Sequence, residues 1–309
     1  MRPLKNYLLM LPVIVLAACN GKAQPDAGTE NPHSREFNDY WYAGKAELTS
    51  YHLTQSRYGD LHDGSAVLIF VTEDFSREKQ VKLDDPYENA DDAVKVMKLN
   101  FTKNFTTGIY PYSMMFSCFT PVDTDNNPRS VKLTTSSQEW CGHTYLQLNK
   151  MKNDYKLSGY SYFESEGDQQ QSLKLSVLED ELWNIIRLNP DKLPVGQINI
   201  IPGSFASRLT HHQLQNTRAV AGLNNNKNAE FGGEGVMEYT VAYKNPERTI
   251  KIYFESAFPY RITGWEDSYR GAGGKLLTTK AVKNESMLLD YWAKNKPEHE
   301  TYRDALGLE

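Results

Sequence analysis

The chain has 309 residues and a formal net charge of −5, with 5 Trp, 19 Tyr and 12 Phe raising its aromatic share to 12%. Tyr and Phe favour a pleated, half-buried surface, so the composition points to sheet and excludes a chain disordered over most of its length. No stretch approaches the roughly 20 apolar residues of a spanning helix, and mild acidity without basic blocks argues against a nucleic-acid partner.

At the amino terminus, Arg2 and Lys5 precede an apolar run from Tyr7 to Ala18 that is interrupted only by Pro12. The run is too short to span a bilayer, so residues 1–18 are predicted to be a signal peptide. It ends in Leu16-Ala17-Ala18-Cys19, which resembles the lipobox of bacterial lipoproteins. That resemblance implies cleavage before Cys19, a lipid on its sulfur and an acyl chain on its amine, hence attachment to a membrane through lipid. Asn20 stands where Asp would favour inner-membrane retention, so the expected address is the outer membrane, on its periplasmic or its surface face. Residues 19–36 read as a lipidated tether, rich in Gly, Pro, Asp, Glu and Ser. The body, 37–309, is predicted to be a single β-rich domain, with sub-halves 37–175 and 190–309 as the alternative division.

Along the body, period-two alternation recurs. Val67 to Val71 is a continuous apolar run, as expected of a strand covered on both faces. In Val96 to Phe101, Met97, Leu99 and Phe101 face away from Lys98 and Asn100; Val131 to Thr135 and Leu146 to Leu148 repeat the pattern. Ser176 to Glu179 has capping-box spacing ahead of an apolar stripe (Leu178, Leu182, Trp183, Ile185, Ile186), and Pro190 ends that helix. Gly222 to Gly235 reads as a loop. Met237 to Tyr243, Ile250 to Phe254 and Arg261 to Trp265 form a meander, to which Lys275 to Lys283 adds a fourth strand. A last helix is expected from Pro297 towards Leu306.

The densest reactive stretch is Thr134 to His143. One reading takes Cys141 as a nucleophile, His143 as its base and Gln138 as an oxyanion donor, because a thiolate needs such a neighbour. The Gln-x-x-Cys-Gly spacing resembles that of papain-type proteases, although there the Cys opens a long helix and here strand signals flank it. The other reading is structural, with Cys141 paired to Cys118 in an oxidising compartment or simply buried. Asp123 to Asn127 begins like a calcium loop, but Pro128 occupies the position of the turn glycine. His211 and His212 are adjacent and diverge on any regular backbone, so no metal and no cofactor are expected. The aromatic groups around Trp41, Tyr42, Tyr110, Tyr112, Trp140 and Trp265 are candidates to line a binding surface, with core packing as the alternative.

The segments Phe37 to Glu47, Arg57-Tyr58-Gly59, Gly108 to Met115, Thr134 to Thr144 and Phe258 to Glu266 resemble a family of Gram-negative lipoproteins often labelled "septum formation inhibitor Maf". Genuine Maf proteins are cytoplasmic nucleotide pyrophosphatases that open with Ser-x-Ser-Pro-Arg-Arg, a stretch missing here. The resemblance therefore implies the lipoprotein family and not the pyrophosphatase activity. More loosely, the strands and the late Phe258-Pro259-Tyr260 turn are similar to periplasmic lipoprotein carriers, whose curved sheet forms a half-barrel. The expected fold is mainly β (α+β), a large curved antiparallel sheet with one or two accessory helices. The expected function is a non-enzymatic lipoprotein that binds a lipid, a glycan or an envelope protein; the alternative is a thiol-dependent hydrolase or transferase at Cys141 and His143.

Overall fold

The computed structural model of the chain describes residues 34–271 and 274–308. The predicted signal peptide, Cys19 and tether residues 19–33 lie outside the described residues. Helix α1 (Arg35–Trp41) starts inside the predicted tether, because the Ser34 hydroxyl accepts the Phe37 N–H at 3.2 Å and caps it.

Strands β1 (Ala46–Arg57), β2 (Asp60–Ser76), β3 (Ala93–Thr107), β4 (Tyr110–Pro121), β5 (Lys132–Glu139), β6 (Gly142–Lys150), β7 (Asp154–Ser161) and β8 (Gln169–Lys174) form a meander of sequential antiparallel pairs. Short β9 (Val177–Leu178) leads through α2 (Glu179–Leu188) to β10 (Gly196–Ile201), which pairs with β9 in parallel. Helix α3 (Ser204–Thr210) precedes a second meander of β11 (Thr217–Asn225), β12 (Val236–Lys244), β13 (Glu247–Glu255), β14 (Ile262–Arg270) and β15 (Leu276–Leu289). Strand β15 returns to pair with β1, so the two predicted sub-halves are halves of one 15-stranded sheet, curved and unclosed, with β8 and β9 at its edges. The chain is mainly β, as its composition and periodicity predict.

The alternation places residues as expected. Met97, Leu99 and Phe101 are buried while Lys98 and Asn100 are partly exposed, and Val67 to Val71 is covered on both faces. Two departures have local causes. Helix α2 begins at Glu179 rather than at Ser176: the Leu178 N–H is accepted by Glu181 at 3.2 Å, while the Ser176 hydroxyl donates to the Asn199 carbonyl at 2.7 Å. Residues 222–225 continue β11 instead of entering a loop, because β12 supplies their ladder partners. At the C-terminus, a single 3-10 turn (Pro297–His299) precedes α4 (Thr301–Ala305), and Leu306 packs on Ala46, Leu48 and Val71.

The face of the sheet covered by α2 and α3 is the inner face. All ten residues of α2 are buried, which its apolar stripe alone does not explain. Its polar side chains are matched by strands instead. Asn184 donates to the Met97 and Cys118 carbonyls at 3.1 and 3.2 Å, and Arg187 forms a bidentate pair with Glu47. Leu182, Trp183, Ile185 and Ile186 join Phe101, Phe116, Cys118 and Trp265 in the main core. Each such apolar side chain contributes about 1.5–3 kcal/mol on burial.

Candidate functional site

Turns in an antiparallel meander fall alternately at the two ends of the sheet. The β1–β2, β3–β4 and β5–β6 turns and the β7–β8 loop therefore share one end, and α3 packs there against β4 and β5. Large side chains project from this rim: Tyr58, Ile109, Trp140 and Tyr162 are 58%, 80%, 68% and 70% exposed. Exposed apolar surface concentrated at one place marks interaction sites.

Within the rim, Arg57 at the end of β1 is buried. Its Nη1 donates to the Leu209 carbonyl, and its Nη2 lies 3.3 Å from the Tyr58 hydroxyl, 3.4 Å from that of Tyr112 and 3.4 Å from His211 Nε2. The guanidinium sits 4.2 Å above the Tyr58 ring, and the Tyr58 and Tyr112 hydroxyls are 2.8 Å apart. Tyr58 and Gly59 form a two-residue hairpin turn at φ 54° and 88°, a geometry that normally selects Asn-Gly.

Helix α3 brings the other half. Its C-cap His211 is left-handed, and Nδ1 lies 2.7 Å from Glu166 Oε1. His211 Nε2 lies 3.4 Å from Arg57 and Nδ1 3.4 Å from Arg208, so the ring joins both guanidinium groups to Glu166. Arg208 lies 3.7 Å from Glu139 and 3.5 Å from Glu166, with its guanidinium 4.5 Å over the Phe163 ring. Beside these groups lies a cleft of about 70 Å³, lined by Thr135, Leu146, Tyr160, Ser204, Arg208 and His211 among others.

The sequence-predicted residues divide. Tyr110, Tyr112 and Trp140 belong to the rim, with Tyr110 5.8 Å from Tyr112 and 6.4 Å from Trp140 between ring centroids. Tyr112 is buried, stacked on Phe105 at 4.7 Å. Trp41 and Tyr42 lie instead at the opposite end of β1. Trp41 is core, beneath Arg187, and Tyr42 is partly exposed beside Phe37 and Lys95. Trp265 is also core, among Tyr51, Phe101 and Trp183. Packing, not an open aromatic cavity, accounts for these two tryptophans.

Cys118 and Cys141 do not pair. Cys118 is buried on β4 and Cys141 is exposed in the β5–β6 turn, both as free thiols. Strand β4 meets β5 at Cys118–Leu133, and the eight residues from Leu133 to Cys141 put the two thiols roughly 25 Å apart along the sheet. Nor do Cys141, His143 and Gln138 assemble as a thiol centre. Gln138 and His143 are cross-strand partners, both exposed on the face opposite Glu139, whereas Cys141 lies in the turn. A hydrogen bond to Glu139, reinforced by that carboxylate's charge, pushes the Cys141 thiol up, and burial pushes the Cys118 thiol up.

Beneath the rim, the first turn of α2 forms a charged centre that was not expected. Glu179 takes Arg248 at 2.6 and 2.7 Å, and Arg248 holds Asp267 at 2.7 and 3.0 Å. Asp180 accepts from the Ser204 N–H at 2.9 Å and its hydroxyl at 3.2 Å, and the Thr135 hydroxyl donates to that of Ser204 at 2.7 Å. Thr135 and Ser204 also line the cleft, so two hydroxyls connect it to Asp180. Lys103 completes the centre, 5.3–5.8 Å from the rings of Phe101, Phe205 and Trp265, with Gln55 Oε1 at 3.4 Å. Burial pushes Asp180 up to about 7 and Lys103 down to about 8.

No helix among the described residues is long and apolar enough to cross a membrane. Comparison with protein-family models, with curated proteins and with solved structures found no match.

Proposed function

We propose that this chain is an outer-membrane lipoprotein, anchored through Cys19, whose rim binds a ligand or an envelope partner without catalysis. The observation that carries the binding reading is the rim itself: Tyr58, Ile109, Trp140 and Tyr162 stand exposed at one end of the sheet, where a cleft opens beside Arg208 and His211. Aromatic faces beside convergent polar groups are the usual chemistry of recognition. The interior supports a rim rather than a large internal cavity, because α2 occupies the inner face of the sheet. The address rests on the lipobox-like Leu16 to Cys19 and on the resemblance to Gram-negative lipoproteins.

The thiol reading is the weaker one. A nucleophilic Cys needs a neighbour that stabilises its thiolate, and Cys141 has Glu139, which opposes it. Alkylation with iodoacetamide separates the two. Binding predicts that Cys141 reacts slowly at pH 6 and faster only as the medium becomes alkaline; rapid reaction at pH 6 would transfer the case to the enzyme. Mass spectrometry of the chain from its own membranes tests the anchor: a lipidated Cys19 at the mature start is expected, and an unprocessed Met1 would refute it.

A further inference from the structure

Among the described residues, five buried polar side-chain atoms have no hydrogen-bond partner in the protein. Three of them belong to the rim: Nε of Arg57, Nε of Arg208 and Oγ of Ser137. Ser137 lies on the inner face of β5, opposite Met114 and two residues before Glu139. Two of the three atoms are obligate donors, and the third can donate. A buried donor left unmatched costs about 1–3 kcal/mol, and more when charged; Arg57 and Arg208 lie 3.4 Å from the two ring nitrogens of His211, so neighbouring guanidinium donors call for an acceptor.

The charges agree with the donors. Arg57 is 6% exposed, and its polar contacts are the Leu209 carbonyl, two phenols and an imidazole nitrogen, without a carboxylate within 4.0 Å among the described residues. It reaches Glu166 only through His211. Both carboxylates of the cluster flank Arg208 instead, at 3.7 and 3.5 Å, distances too long for good hydrogen bonds. A buried guanidinium without an anion is costly, and its planar fork matches an oxyanion better than any other partner.

We propose that Arg57, Arg208 and Ser137 form an oxyanion site, taking the carboxylate or phosphate group of a ligand whose remainder stacks on Tyr58 and Trp140. Glu139 and Glu166 repel negative charge from the Arg208 side, so the anion seats towards Arg57. This assignment rests on the rim being a ligand site and names the chemistry that the site takes.

Calorimetric titration of the full chain in detergent tests it, with glycerol 3-phosphate and glucuronate as the phosphate and carboxylate, and glycerol as the uncharged control. Flotation with phosphatidylglycerol vesicles tests a lipid-borne source of the same anion. At least one anionic probe should bind, and Arg57→Gln should weaken it by about tenfold or more, as expected for a lost charge-assisted pair. Ser137→Ala should weaken it several-fold, and Arg57→Lys should recover only part of the Arg57→Gln loss, because one ammonium replaces a fork. If Arg57→Gln fails to fold, the last two variants carry the test. Equal binding by wild type and the variants, or no binding by any anion, overturns the oxyanion site. Glycerol binding as well as glycerol 3-phosphate overturns it too, while leaving the rim as a ligand site.

Discussion

Tyr58 and His211 both hold their backbones at positive φ, 54° and 57°, and both rest against the guanidinium of Arg57. One residue is a hairpin turn and the other a helix cap, so two separate elements accept a disfavoured conformation at the same arginine. Such residues each cost on the order of 1 kcal/mol or more and gather where geometry matters to function. Replacing Tyr58 by Asn suits the turn but removes the ring from Arg57, and these effects oppose each other at about 1 kcal/mol apiece. Thermal unfolding of Tyr58→Asn should therefore stay close to wild type, whereas any ligand held at the rim should be lost.

Inside, the bidentate pair of Arg187 and Glu47 is almost wholly buried, with Tyr40 donating to the same carboxylate. Removing one partner strands the other charge. Arg187→Ala should cost about 3–5 kcal/mol, read as a lower urea midpoint. Joint replacement of both by apolar residues of similar volume should cost much less than the sum of the single truncations.

The charged centre under α2 makes stability depend on pH. Asp180, beside Glu179, Arg248 and Ser204, is raised from 3.8 to about 7, so the folded chain holds its proton more tightly than the unfolded one. Its contribution is full below 3.8 and is lost as pH rises through about 7. Lys103 is lowered from 10.5 to about 8, so its contribution is present above 10.5 and is lost as pH falls through about 8. Melting temperature should therefore pass through a minimum between pH 7 and 8. Asp180→Asn should shrink the rise on the acid side, leaving the part due to Glu181, which burial also pushes up; an unchanged profile would show that Asp180 is ionised throughout.

Glu139 controls Cys141. Its carboxylate accepts the Cys141 N–H at 2.9 Å and holds the thiol up. Glu139→Gln should speed alkylation of Cys141 several-fold at pH 8, while Cys118, buried on β4, should react only in denaturant.

Much of the fold was legible because sheets write themselves in local alternation. Leu99, Phe101, Ile250 and Ile252 follow from a period of two, and the α2 stripe from a period near four. What alternation does not encode is pairing between distant strands. It joins β15 to β1, and it brings Arg57 to Leu209 and His211 from far along the chain. Arg57 reads in isolation as an ordinary strand-end charge, and Glu166 and Arg208 as solvated surface. The Thr134 to His143 stretch reads as rich in polar groups, but the residues it turns to the inner face are Ser137 and Glu139, while Cys141 and His143 stay exposed. The aromatic candidates Tyr110, Tyr112 and Trp140 are the local signals that point to the rim, and a Tyr at the first position of a turn before Gly adds to them.

Native mass spectrometry of the chain extracted gently from its own membranes addresses the binding rim most directly. Wild type should carry a non-covalent adduct beyond the processed chain, and the Tyr58→Ala, Trp140→Ala double variant, folded to the same melting temperature, should arrive without it. Bare chain from wild type, or the same adduct retained by both, would contradict a ligand held at that end of the sheet.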